Sequence, residues 1–125
     1  MAKIILGEDP KTFAPATIKF VRPNGEAGEI VVTYKYRTRK QFGALMNDIH
    51  GDTGEKAPEK IDFAALFEKA LDKNADHLIA CVDSWDLDDK VSRETMQTLC
   101  DKLPAAAIAL MAGYSAACNE GRLGN

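Results

Sequence analysis

The chain has few of the residues that usually announce a function, and each gap closes a class of chemistry. Its three cysteines, Cys81, Cys100 and Cys118, form an odd set without a CxxC pair. Each lies within an apolar helical pattern, which fits buried, reduced thiols better than a metal knuckle or redox motif. No long apolar run is present. The longest, from Leu103 to Gly113, is well short of the ~20 residues that span a bilayer, and the run Ile4–Leu6 is too brief for the core of a signal peptide. No membrane partner is expected, and the protein is expected in the cytoplasm. Sixteen Lys and Arg against nineteen Asp and Glu give a net charge of −3, which argues against nucleic-acid partners held by phosphate neutralisation.

Catalytic constellations are missing too. His77 stands beside Asp76, but no nucleophile accompanies them. His50 with Asp48 and Asp52 would need a flexible polar segment to converge on a metal, and the stretch from His50 to Pro58 lacks the GxxxxGK[ST] spacing that cradles phosphate. Asp83 and Glu94 occupy the first and twelfth positions of a calcium-loop frame. Its interior refutes it, because Trp85 and Leu87 stand where oxygen ligands belong and Asp88 replaces the turning glycine. No catalytic, cofactor-binding or metal-binding residue is therefore assigned.

What is present reads as one globular domain over residues 1–125, since 46% hydrophobic and 28% charged residues describe an ordinary folded chain. Lys3–Leu6 is read as a short strand closed by a turn at Gly7 to Pro10. Residues 17–22 alternate in polarity, as do residues 29–37, and the Pro, Asn and Gly between them predict an antiparallel hairpin. Alternation places Tyr34 and Tyr36 beside Ile30 and Val32 as structural anchors. It leaves Lys35 and Arg37 on the solvated face, with Arg39 and Lys40 just beyond.

Thr38 and Gln41 have the spacing of a capping box, so a helix is expected to follow, docking Phe42, Leu45, Met46 and Ile49 on the hairpin. Asp62 is read as the cap of a longer helix carrying Phe63, Leu66, Phe67, Ala70, Leu71, Leu78, Cys81 and Val82 on one side. Asn74 is its weak point. The run 78–82 also fits a buried strand, but the continuing i/i+4 spacing favours helix. Trp85 and Leu87 are assigned as anchors of an acidic corner. Ser92 then caps a short helix, and Pro104 opens a last one ending near Gly121.

That last helix is apolar nearly all round. Ala105, Ala109, Ala112 and Ala116 align on one side, with Ala107, Leu110, Met111 and Tyr114 opposite and Ile108 between. A small domain has little core in which to hide both faces, so one face is expected to meet another chain. Ile108, Leu110, Met111, Tyr114, Arg122 and Leu123 are the expected partner-binding residues.

Four segments, taken in order, carry a family resemblance: Tyr34-Lys35-Tyr36-Arg37-Thr38-Arg39 after the hairpin, Ser84-Trp85-Asp86-Leu87, Pro104 before an alanine-rich helix with Tyr114, and Gly121-Arg122-Leu123-Gly124-Asn125. Together they make the chain resemble the small tail assembly chaperones of long-tailed bacteriophages. The resemblance implies a non-enzymatic factor without a cofactor. It would bind the hydrophobic tape measure protein, help recruit the tail tube protein, act in the host cytoplasm and leave the finished virion. A longer frameshifted form is often found in such proteins. Alternatives are a structural tail subunit, or a small nucleic-acid-binding regulator using Lys35, Arg37, Arg39 and Lys40. Self-association into a homo-oligomer is compatible with the two-faced helix. The expected fold is α+β: an N-terminal antiparallel hairpin or small sheet packed against about four helices, with the C-terminal half all helical.

Overall fold

The computed structural model describes residues 4–51 and 62–123. The polar loop expected after His50 lies beyond Gly51 outside the described residues, as do Lys3, Gly124 and Asn125. The architecture is α+β, and the described residues form a three-stranded antiparallel sheet and four helices.

Strands β1 (Ala16–Val21) and β2 (Ala27–Tyr34) form the hairpin, with Ile18 opposite Ile30. Its loop is closed by the amide of Arg22 donating to the carbonyl of Glu26 at 2.8 Å, while Gly25 takes a φ of 87° that few side-chain-bearing residues accept. Alternation works as read: Ala16, Ile18, Ile30, Val32 and Tyr34 are buried, whereas Thr17, Lys19, Val21 and Glu29 face water. One side of the sheet is core and the other is open.

Two strand boundaries are corrected. Strand β2 stops at Tyr34 instead of running to Arg37, because its ladder with β1 ends at Ala16 opposite Val32 and its pairing with β3 shifts register at Tyr34. Beyond that, Phe13 donates to the carbonyl of Tyr34 at 2.9 Å and Thr12 makes an isolated bridge to Lys35. The strand expected up to Leu6 is not formed by its described residues, and Ile4 and Leu6 are exposed beside a turn in which Glu8 donates to the carbonyl of Ile5.

Helix α1 (Arg39–His50) starts on the complete Thr38–Gln41 capping box. Its stripe of Phe42, Leu45, Met46 and Ile49 is half-buried. It packs chiefly on the later helices rather than on the hairpin. Helix α2 (Phe63–Cys81) is capped by Asp62 and runs unbroken through Asn74, a rod of ~28 Å at 1.5 Å per residue. Val82 then leaves it. Strand β3 (Val82–Trp85) joins the free edge of β2, pairing Val32 with Trp85 and Tyr34 with Val82 across a register shift. A short apolar run takes its conformation from its partner, and here the unpaired edge of β2 outweighs continuation of the helical spacing.

Helix α3 (Arg93–Lys102) begins at Ser92, and helix α4 (Pro104–Glu120) follows after Leu103 alone. Gly121 ends α4 at φ 69°, with its amide donating back into the last turn. Helix α4 lies against β1 and α3 against α2, so the inner face of the sheet is roofed by helices.

Candidate functional site

The hydroxyl of Tyr34 donates to the carbonyl of Leu110 at 2.6 Å, and that of Tyr114 donates to the carbonyl of Lys35 at 2.9 Å. Arg37 turns inward instead of facing solvent as the alternation predicted. Its Nη1 donates to the carbonyl of Ala80 at 2.6 Å and to the hydroxyl of Tyr114 at 2.9 Å. The physical reason is the end of β2: once the ladder stops, Arg37 no longer obeys a two-residue period, and the C-terminal carbonyls of α2 are the nearest strong acceptors. Burial pushes both tyrosine hydroxyls far above their ordinary range, so they remain protonated donors. Close packing accompanies this network. A Cβ on Gly113 would lie 2.7 Å from the Tyr34 hydroxyl and 2.8 Å from Cδ1 of Ile18.

The four residues read as anchors are buried to different depths. Tyr34 is fully buried, while Tyr36 is half-buried against Phe13, with ring centroids 5.1 Å apart. Trp85 and Leu87 are half-buried against the core, and the Trp85 indole donates to the carbonyl of Asp89 at 2.6 Å. Asp86 locks the corner to the sheet, accepting from the amide of Val31 at 2.9 Å and donating its own amide to the Val31 carbonyl at 3.0 Å. No cluster of three metal-ligating side chains occurs among the described residues.

Of the six partner-binding residues expected on and after α4, Leu110 and Tyr114 are fully buried and help hold the fold. Ile108 is exposed, Met111 is half-buried, and Arg122 and Leu123 are exposed beside a groove between α4 and β1. Two opposite apolar faces therefore become one deeply buried face and one small exposed face of Ala105, Ile108 and Ala112. The reason is composition: alanines let α4 approach the sheet closely and cover much of its own circumference.

A cluster of large exposed apolar side chains lies on another helix. Phe63, Leu66 and Phe67, in the first turns of α2, are 62%, 54% and 67% exposed. The sequence put them on the buried side, and the pattern itself is correct. Phe63 and Phe67 share a stripe with Leu78 and Cys81, but only the C-terminal half of that stripe lies over the core. Amphipathic spacing locates a face of a helix; it does not say how far the partner layer extends along it.

His77 is buried with no hydrogen-bond partner on either ring nitrogen among the described residues, and its ring meets that of His50 edge-on at 5.9 Å. Burial, reinforced by His50 and Arg37, holds it down to about 4. Cys81, Cys100 and Cys118 are free, and burial pushes Cys81 up to about 12 and Cys100 up to about 11. Such thiols are poor nucleophiles at neutral pH. No helix among the described residues is long and apolar enough to cross a membrane.

These features define a small α+β protein whose buried polar groups serve the fold and whose helices α2 and α4 carry uncovered apolar groups. The family model for phage tail assembly chaperones matches residues 1–125, the whole chain. The chain belongs to that family. Comparison with curated proteins and with solved structures finds no match.

Proposed function

We propose that this tail assembly chaperone is a single non-enzymatic domain that binds the tape measure protein in the host cytoplasm, keeps it soluble, and promotes tail-tube assembly around it. The family match over the whole chain carries this reading. The exposed aromatic pair on α2 supports it, because a client rich in apolar helix is held by apolar contacts of the same kind. Recruitment needs a second contact. Ile108, Met111, Arg122 and Leu123 are the accessible part of the set on and after α4, and they are proposed to meet the tail tube protein or another copy of the chain.

Co-expression with the tape measure protein tests the reading. The client should move from the insoluble to the soluble fraction and co-purify with the chaperone. An unchanged client fraction would overturn the proposal. Mass spectrometry of purified particles separates it from a structural tail subunit, since a chaperone should be absent from them. The nucleic-acid reading gains no support from the geometry: Arg37 is committed to Ala80 and Tyr114, and Tyr34 has no exposed ring for a base to stack on.

A further inference from the structure

Helix α2 overhangs the body of the protein, and the face it leaves uncovered has a definite chemistry. The rings of Phe63 and Phe67 stack with centroids 6.5 Å apart, continuing outward the stripe that Leu78 and Cys81 bury. Below them a groove runs between α2 and α3. Its floor holds Ala64, Phe67 and Leu71, while Glu68, Asp72 and Asp101 edge it. Lys102 is the one cation among the described lining residues. Asp72 also accepts from Nε2 of Gln97 at 3.1 Å. Across the ridge formed by Thr98 and Lys102, a second hollow backed by Trp85 and Leu87 adds the carboxylates of Asp89 and Glu94.

We infer that the α2–α3 groove docks an amphipathic helix of the client whose apolar stripe is flanked by lysine or arginine. The inference rests on the chaperone reading and gives it a site. Apolar anchors at i, i+3, i+4 and i+7 meet the Phe67 floor, and basic flanks meet Glu68, Asp72 and Asp101. Charge decides against a second copy of this chain as the occupant. A twofold pairing of the same patch would set these carboxylates against their own counterparts around one lysine per chain. An anionic membrane surface is disfavoured by the same sign.

The experiment uses the full chain and two labelled 20-residue peptides with identical leucine stripes, one flanked by lysines and the other by glutamates. Fluorescence anisotropy at low and high salt reads binding. The lysine peptide should bind at least tenfold more tightly than the glutamate peptide, and salt should weaken it. Phe67→Asp, at an exposed position, should abolish binding with the helical circular dichroism unchanged. The pair Glu68→Lys with Asp101→Lys should reverse the peptide preference. Equal affinity for both peptides, binding of neither, or full binding by Phe67→Asp would overturn the inference. So would a concentration-dependent dimer that Phe67→Asp dissociates.

Co-expression separates the two levels. If wild-type chain solubilises the tape measure protein and Phe67→Asp does so equally well, the groove is wrong and the function stands. If the wild-type chain fails to solubilise it, the functional reading itself fails.

Discussion

Tyr114 of α4 donates its hydroxyl hydrogen to the carbonyl of Lys35, 79 positions earlier, while accepting from the guanidinium of Arg37. One phenol thus ties the last helix to the segment that leaves the sheet. Tyr114→Phe removes both bonds and leaves a carbonyl and a cationic donor short of partners in a part-buried site. A loss of about 1–3 kcal/mol in urea unfolding is expected, larger than for an exposed control such as Thr17→Ala.

Gly113→Ala sets two effects against each other. Alanine favours an isolated helix by about 1 kcal/mol, but its Cβ would meet the Tyr34 hydroxyl at 2.7 Å and Ile18 at 2.8 Å. Both neighbours belong to a packed core, where overpacking costs about 1–3 kcal/mol. Net destabilisation is expected by thermal melting, whereas Gly43→Ala, in open space on α1, should stabilise.

Acid should weaken the fold through His77. Its folded pKa of about 4 lies below the ordinary 6.5, so between those values the unfolded chain binds a proton that the folded chain refuses. Stability is complete above the unfolded pKa and falls as pH drops through the window, by at most ~1.4 kcal/mol per pH unit. Urea midpoints from pH 7 to pH 4 should show this slope, and His77→Leu should flatten it.

The overhang of α2 predicts unequal costs along one stripe. Leu78→Ala, in the core, should cost about 2–5 kcal/mol. Phe67→Ala, the same stripe in solvent, should cost less than about 1 kcal/mol. Equal losses would mean that the first turns of α2 are covered in solution.

Trp85 is the only tryptophan and reports on the acidic corner. Calcium should leave its fluorescence and the thermal midpoint unchanged, because Asp86 is already bound to the Val31 backbone. Asp86→Ala should cost about 1 kcal/mol by removing that acceptor.

Local signals in the sequence proved dependable. Thr38 with Gln41, Asp62, Ser92, Pro104 and Gly121 each mark a helix end correctly, since capping is settled within four residues. Alternation found the hairpin for the same reason. The errors arose where a distant element decides. Strand β3 exists because β2 has an edge to offer, Arg37 turns inward because α2 ends beside it, and Phe63 and Phe67 stay uncovered because the layer beneath them stops short. The candidate docking groove was legible only as an apolar stripe. Its acidic edge comes from two helices and appears only when they are brought together.

The placement of α4 against β1 also governs the order in which the molecule can be made. The hairpin is synthesised early, yet Ile18 and Tyr34 gain their cover from Gly113, Leu110 and Tyr114 near the other end of the chain. Loop-closure entropy must be met before these non-local contacts return anything, which slows such topologies. On the ribosome the inner face of the hairpin therefore waits as exposed apolar surface until α4 emerges. A member of a chaperone family thus passes through a state of exposed apolar surface during its own synthesis.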